Sequence, residues 1–141
     1  MYELKVVRER RQGYAQLRRI KGSQDVYKAF REWFDTLDRE QFLVILLDEK
    51  NRILGFNVVS VGTLNASVVH PREVFKPAIL ANAASLILLH NHPSGHPEPS
   101  SEDNEITRRL KEAGDLLGIK VLDHVIIGDD RYFSFADRHL L

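Results

Sequence analysis

Residues 84–93, Ala-Ser-Leu-Ile-Leu-Leu-His-Asn-His-Pro, join an unbroken apolar run to two histidines. Apolar residues that do not alternate with polar ones are typical of a strand that is buried on both faces of a sheet. Side chains at positions i and i+2 of a strand point to the same face, so His90 and His92 can approach one ion together. The segment therefore predicts a buried strand over residues 84–90 that ends beside a pair of imidazoles.

A loop and then a helix follow the two histidines. Three prolines and one glycine between residues 93 and 99 allow the chain to turn, and a helix is predicted over residues 101–117. Asp103 lies in the first turn of that helix. Two histidines and one carboxylate, with no fourth protein ligand nearby, are typical of a zinc site that keeps one position open for water, as catalytic zinc sites do. The sequence therefore predicts Zn²⁺ held by His90, His92 and Asp103.

Each of these residues also has an interpretation without a metal. A buried histidine at a strand end is commonly a hydrogen-bonded core residue. Ser100 and Asp103 have the spacing of a capping box, in which each side chain bonds the backbone amide of the other residue. Taken alone, this spacing favours capping. The three donors together favour metal binding, and a structural role of Ser100 is compatible with a catalytic one.

Composition places the chain among ordinary globular domains. Its 141 residues fit one domain, with 43% apolar and 28% charged residues. Cysteine is absent, which excludes disulfides, thiolate metal sites and the zinc nucleobase deaminases, whose motif requires a pair of cysteines. The apolar runs are shorter than a membrane span, and the N-terminus lacks the pattern of a signal peptide. We therefore expect a cytoplasmic protein without membrane contact.

Strands and helices alternate along the chain, which predicts an α/β domain with a mixed sheet flanked by helices. Besides the strand and helix described above, strands are predicted at residues 4–7, 42–47, 53–61, 119–128 and 132–135, and helices at residues 25–37 and 71–82. We divide the chain into a basic arm with a leading strand at residues 1–22 and a domain at residues 23–141.

Several residues are predicted to begin, end or bend the helices. Ser23 is the expected N-cap of the first helix. Pro71 suits the first turn of the second helix, because backbone amides there have no hydrogen-bond partner within the helix. Pro77 should kink that second helix. Gly118 is the expected left-handed C-cap of the third helix.

The predicted arm carries most of the chain's charge asymmetry. Residues 1–22 hold seven basic and two acidic side chains, although the net charge of the whole chain is zero. Solvation, or contact with an acidic surface of a partner, is favoured over nucleic-acid binding. The sequence leaves open whether the arm mediates a homodimer.

A water activated by zinc needs a base that takes its proton and delivers it to the leaving amine. Five carboxylates outside the ligand set are candidates: Glu40, Asp48, Glu73, Glu102 and Asp123. Glu40 lies just before the predicted strand at residues 42–47, so it can face the end of a neighbouring strand. Spacing alone does not separate Glu40 from Glu73, and on spacing alone a solvated charge is the favoured interpretation of Glu40.

The sequence from His90 to Asp103 closely resembles the RadC-like branch of the JAMM (MPN+) metalloprotease superfamily. The pattern of that superfamily is an upstream glutamate, then His-x-His-Pro, six residues, Ser, two residues and Asp. This chain matches it without gap or substitution at Glu40, His90, His92, Ser100 and Asp103. The resemblance spans residues 23–136 and includes residues 62–65, 69–75, 81–84 and 122–124.

The resemblance implies a fold similar to that of cytidine deaminases, with Zn²⁺ held by His90, His92 and Asp103. It further implies that Glu40 is the general acid and base and that Ser100 stabilises the tetrahedral oxyanion. Members of known activity hydrolyse peptide or isopeptide bonds, so the expected function is that of a zinc metallopeptidase acting on a protein or peptide substrate. Two alternatives stay open: a non-catalytic protein-interaction module, and a nucleic-acid-associated module that uses the basic arm.

The remaining histidines have less specific interpretations. His124 lies in an apolar strand and is predicted to be a hydrogen-bonded core residue. His70 precedes Pro71 and is predicted to begin the second helix, which Arg72 is expected to support. His96 lies on the proline-rich loop, where an exposed position is favoured over one that lines a cleft.

Overall fold

The apolar run at residues 86–89 lies in the middle strand of a five-stranded sheet. A computed structural model describes residues 1–10, 19–65 and 68–141 of the chain. In chain order its elements are α1 (Ser23–Asp35), β1 (Gln41–Leu47), β2 (Ile53–Val61), α2 (Pro71–Leu80), β3 (Ser85–Asn91), α3 (Ser101–Leu117), β4 (Lys120–Ile127) and β5 (Tyr132–Ser134). The predicted α/β class is confirmed.

The strand order is β2-β1-β3-β4-β5, and β3 is antiparallel to β1 but parallel to β4. The predicted mixed sheet is therefore confirmed. β1 and β3 are buried along almost their whole length, which explains why neither alternates apolar with polar residues. The parallel step from β3 to β4 contains α3, because parallel neighbours need a crossover connection.

Two hydrophobic cores lie on opposite faces of the sheet. On one face, Val44 of β1 belongs to a cluster with Phe75 of α2 and Leu110 of α3. On the other face, Ile45 belongs to a cluster with Phe30 of α1. Alternate side chains of a strand point to opposite faces, so β1 contributes side chains to both cores. Helices therefore cover both sides of the sheet.

The start of α2 and the end of α3 agree with the predictions. The His70 imidazole accepts a hydrogen bond from the amide of Arg72 at 3.1 Å, and Pro71 is the first residue of α2. Gly118 follows α3 with a φ of 74°, the left-handed C-cap predicted for it. α2 ends at Leu80, slightly earlier than predicted. Across the ranges that the structure describes, no helix has both the length and the apolar character to cross a membrane.

The prediction that Ser23 caps α1 is wrong. Gly22 occupies the N-cap and Ser23 is the first residue of the helix. The Ser23 hydroxyl instead hydrogen-bonds with the hydroxyl of Tyr132 and the carboxylate of Asp137. A serine hydroxyl can hydrogen-bond either to the nearby backbone or to distant side chains. Here it bonds to side chains more than a hundred residues away and not to the helix backbone.

The leading strand predicted at residues 4–7 is also wrong. Residues 1–10 are exposed and form no strand, because a few apolar residues make a strand only where a neighbour pairs with the backbone. Residues 11–18, the middle of the predicted arm, lie outside the described residues. Contact with the domain is present at Ile20, which is buried in the same cluster as Phe30.

A close backbone contact ties the loop after β3 to the end of β4. The amide of Asp129 donates to the carbonyl of Gly95 at 3.1 Å. A Cβ at Gly128 would overlap that same carbonyl oxygen. Glycine at position 128 therefore allows the loop between the two histidines and α3 to lie against the sheet.

We expect Gly128→Ala to lower the free energy of unfolding by about 1–3 kcal/mol, because the loop must move to relieve the overlap. Gly55→Ala is a matched control, since nothing lies within 4 Å of a Cβ built at Gly55. Its free energy of unfolding should stay level or rise by up to about 1 kcal/mol, because alanine restricts the unfolded chain and meets no clash. Urea unfolding measures both values, and equal effects of the two substitutions would contradict the close contact.

Candidate metal centre

Three side chains converge at the end of β3. His90 Nε2 lies 3.2 Å from His92 Nε2 and 3.2 Å from one carboxylate oxygen of Asp103. His92 Nε2 lies 3.0 Å from the other carboxylate oxygen. The side chain of His90 is fully buried and that of Asp103 nearly so, whereas the His92 side chain is 13% exposed. The cluster is therefore buried on one side and reaches the surface on the other.

The spacing of these atoms fits a tetrahedral cation. Zinc binds imidazole nitrogen and carboxylate oxygen at about 2.0–2.2 Å, which places tetrahedral ligand atoms about 3.3–3.5 Å apart. The observed separations of 3.0–3.2 Å approach that value, and ligand atoms of all three residues lie within 4.8 Å of one another. Two imidazoles and one carboxylate suit zinc and other divalent transition metals. The three residues predicted from the sequence thus form a group that could hold a metal ion.

The sheet positions both histidines. His90 pairs with Phe42 of β1 and Ile126 of β4, and its ring stacks on Phe42 with the centroids 5.7 Å apart. His92 lies one residue beyond β3, and its Nδ1 donates to the carbonyl of His96 at 2.7 Å. A carbonyl only accepts, so the hydrogen of His92 is on Nδ1 and Nε2 faces the other two groups.

The first turn of α3 orients Asp103. The amide of Ser100 donates to an Asp103 carboxylate oxygen at 2.8 Å, and the amide of Asp103 donates to the Ser100 hydroxyl at 3.1 Å. This is the predicted capping box, now confirmed. The capping and metal interpretations are compatible, because the cap holds the carboxylate in its position beside His92.

Burial and hydrogen bonding shift the pKa values of this cluster in opposite directions. Burial acts to raise the pKa of Asp103, but the polar contacts of its carboxylate with the His90 and His92 imidazoles outweigh burial and hold that pKa well below its usual range. Burial acts to lower the pKa of His92, but the Asp103 carboxylate and the His96 carbonyl outweigh it, so this pKa is raised. Asp103 is therefore an anion at neutral pH, as a metal ligand must be.

Glu40 lies immediately before β1, at the same end of the sheet as the three residues. One of its carboxylate oxygens accepts a hydrogen bond from the amide of Leu64 at 3.1 Å, and its carbonyl accepts one from the amide of Gly62 at 2.8 Å. Its negative charge contributes to the raised pKa of His92, which places the carboxylate within electrostatic reach of the cluster. The catalytic role of Glu40 stays a prediction.

Asn91 is a positioning residue that sequence reasoning missed. Its side chain accepts a hydrogen bond from the amide of Gln41 at 2.8 Å and donates one to the carbonyl of Arg39 at 3.2 Å. These bonds hold both neighbours of Glu40 against the end of β3. Asn91 is 4% exposed, and the available signal was a polar side chain between two histidines at the end of an apolar run.

Three of the other candidate carboxylates have partners elsewhere in the fold. Asp48 follows the opposite end of β1 and pairs with Arg52 at 2.7 Å. Glu73 pairs with Lys76 at 2.7 Å on α2. Asp123 is buried in β4 and accepts three hydrogen bonds within the fold. Glu102, the remaining candidate, is exposed in the first turn of α3 beside Asp103. Glu40 is therefore the candidate that lies at the end of β1 next to the histidines.

Behind the cluster lie two more buried polar residues, His124 and Thr107. His90 Nδ1 lies 2.8 Å from His124 Nε2, and His124 Nδ1 lies 2.6 Å from Thr107 Oγ1. Burial and the neighbouring His90 hold the pKa of His124 well below its usual range. The prediction that His124 is a hydrogen-bonded core residue is confirmed. Thr107 was missed, although its place one helical turn after Asp103 could have indicated it.

A mixed five-stranded sheet with three helices, and a His-x-His pair facing a helical aspartate, are consistent with the JAB or MPN class of domains. The protein-family model described as the RadC-like JAB domain matches residues 20–140 of the chain. The chain therefore belongs to the RadC-like JAB domain family, as its motif predicts.

Similar proteins are found in several bacteria. A UPF0758 protein of Desulfitobacterium hafniense (strain DSM 10664 / DCB-2) is 56% identical over 122 residues, which cover 86% of this chain and 54% of that protein. A UPF0758 protein of Geotalea uraniireducens (strain Rf4) is 54% identical over 128 residues, which cover 91% of this chain and 56% of that protein. The chain thus spans about half the length of the curated relatives it matches, and their names state no activity.

Proposed function

We propose that this domain is a zinc-dependent hydrolase that cleaves peptide or isopeptide bonds in a protein or peptide substrate. The observation that carries the proposal is the convergence of His90, His92 and Asp103. Membership of the RadC-like JAB family supports it further, because the superfamily includes metallohydrolases.

His90, His92 and Asp103 are the residues that would hold the zinc ion. When bound, zinc supplies a Lewis acid for the scissile carbonyl and lowers the pKa of a coordinated water toward about 7. The protein's part is to orient these side chains before the metal arrives. The capping box holds Asp103, the carbonyl of His96 orients His92, and the neighbouring strands hold His90.

Glu40 is proposed as the general base and acid. A carboxylate beside the metal group can take a proton from the attacking water and later deliver it to the leaving nitrogen. The amide of Leu64 holds one of its oxygens in place, and Asn91 holds the backbone on both sides of it. This positioning favours Glu40 over Asp48 and Glu73, which are held in ion pairs elsewhere.

Ser100 is proposed to stabilise the tetrahedral oxyanion. Its hydroxyl oxygen accepts from the amide of Asp103 in the capping box, so the hydroxyl hydrogen is not used in that bond. That hydrogen can be donated to an oxygen on which negative charge develops. Under this proposal Ser100 has both the capping role seen in α3 and the catalytic role that the family resemblance implies.

Removing the metal should lower the melting temperature of the protein. A ligand present at a hundred times its Kd stabilises the native state by about 2.7 kcal/mol, which corresponds to roughly 5–10 °C for a domain of this size. Elemental analysis before and after chelation, with thermal unfolding of both samples, measures the effect. A purified protein that neither contains zinc nor gains thermal stability from added zinc would contradict the proposal.

A second proposal is association with nucleic acid through the basic arm. Residues 1–10 are exposed and include Lys5, Arg8 and Arg10. Binding of this kind releases counterions, so the affinity for DNA should fall steeply with salt concentration. Absent or salt-insensitive binding would remove this alternative. A homodimer and a cytoplasmic location stay predictions.

A further inference from the structure

We infer that His124 and Thr107 are positioning residues that keep the hydrogen of His90 on Nδ1 and so leave Nε2 bare to bind the metal. The inference rests on the metal site proposed above. The path runs from His90 Nδ1 to His124 Nε2 at 2.8 Å and from His124 Nδ1 to Thr107 Oγ1 at 2.6 Å. Thr107 Oγ1 then donates to the backbone carbonyl of Asp103 at 2.7 Å. This hydrogen-bond chain begins at one candidate ligand and ends on the backbone of another.

The carbonyl at its end sets the direction of every bond in the hydrogen-bond chain. A carbonyl has no hydrogen, so Thr107 must give its only hydroxyl hydrogen to Asp103. The Thr107 oxygen then acts as acceptor toward His124, which places a hydrogen on His124 Nδ1. The other nitrogen of a neutral imidazole is bare, so His124 Nε2 accepts from His90 Nδ1. His90 consequently presents an unprotonated Nε2 to His92 and Asp103.

Packing keeps these groups in register and away from water. The His124 ring lies parallel to Phe135, with an interplanar angle of 8° and centroids 4.9 Å apart. His90 and His124 are both 0% exposed, and Thr107 is 3% exposed. Water therefore cannot satisfy a bond that is reversed, and two hydrogens or two lone pairs would face each other in the interior. Burial thus restricts His90 to the tautomer that can bind a metal.

Thr107→Val tests the inference, because valine keeps a similar shape but has no hydroxyl. His124 Nδ1 then loses its acceptor, and the tautomer with the hydrogen on Nε2 becomes accessible. That tautomer forces the hydrogen of His90 onto its metal-binding nitrogen. Loss of a residue that hydrogen-bonds a metal ligand typically lowers metal affinity about 10- to 100-fold. We expect a fall of that size in zinc affinity, measured by competition with a chelator. Thr107→Ser restores the hydroxyl and should recover most of the affinity.

Ser134→Ala is the matched control. Ser134 is as buried as Thr107, at 3% exposed, and its hydroxyl donates to Asp123 instead of to the hydrogen-bond chain. Its loss should change the unfolding midpoint but leave zinc affinity at the wild-type value. A fall in affinity that Ser134→Ala shares with Thr107→Val would assign the effect to general destabilisation and overturn the inference.

A measurement on the wild-type protein keeps the inference testable even if Thr107→Val folds poorly. In the zinc-loaded protein, ring ¹⁵N chemical shifts should place the His124 hydrogen on Nδ1 and show a bare Nε2. A hydrogen on His124 Nε2, or a Thr107→Val variant that binds zinc as tightly as wild type, would overturn the positioning role alone. A wild-type protein that binds no zinc would overturn the proposed function and this inference together.

Discussion

Glu40→Gln should slow amide hydrolysis by orders of magnitude while zinc content stays at the wild-type level. Glutamine has nearly the same shape as glutamate, and its amide oxygen can still accept the hydrogen bond that Leu64 donates. It cannot take a proton from water at neutral pH, and loss of a general base lowers kcat by about 10²- to 10⁴-fold. A screen of peptide and isopeptide substrates with the wild-type protein identifies the substrate on which the variant is then compared.

Glu102→Gln is the matched control for that experiment. Glu102 lies one residue before Asp103 on α3 and is exposed to solvent, so removing its charge should leave both zinc content and rate unchanged. A Glu40→Gln protein that cleaves the substrate at the wild-type rate would exclude Glu40 as the base. Loss of zinc in that variant would instead mean that the charge of Glu40 is required to hold the metal.

His92→Ala should lose both zinc and activity. The substitution leaves only His90 and Asp103 as donors, and two protein ligands hold a divalent transition metal far more weakly than three. Because the His92 side chain is partly exposed, its truncation should leave the fold intact. Elemental analysis should therefore find little zinc in the variant, and its melting temperature should no longer respond to a chelator.

His96→Ala is the control for His92→Ala, because His96 lies on the same loop but is not a proposed zinc ligand. The backbone carbonyl of His96, which alanine retains, accepts the hydrogen bond from His92, and the imidazole of His96 is exposed as predicted. Zinc content and activity should therefore stay near the wild-type values. Full zinc occupancy in His92→Ala would contradict the ligand assignment, whatever the behaviour of His96→Ala.

The elements that pack on the core were the ones most readily predicted. The apolar runs that became β1 and β3 indicated buried strands, and the predicted helix at residues 101–117 has the same bounds as α3. An unbroken apolar run indicates that a segment is buried, and burial mainly decides where the elements of this fold lie. The capping box and Gly118 then marked the ends of α3, because caps act within one turn of the backbone.

The errors fall where local signals compete with distant partners. Ser23 has the composition of an N-cap, yet its hydroxyl bonds with Tyr132 and Asp137 near the C-terminus. Leu4, Val6 and Val7 have the apolar character of a strand, but residues 4–7 form no strand within the part of the chain that the structure describes. In neither case does a window of neighbouring residues report whether a distant partner is present.

The sequence alone determined which donors are present and that two of them share a face. The spacing of His90 and His92 is a property of any β-strand, and the first-turn position of Asp103 is a property of the helix that Ser100 caps. The tertiary structure alone decided that His90, His92 and Asp103 meet. It also decided that Asn91 holds the segment around Glu40 and that His124 and Thr107 continue the hydrogen bonding from His90. These contacts depend on the register between β3 and its neighbours and on the path of the loop between β3 and α3. Register and loop path follow from packing summed over the whole domain, which no single motif encodes.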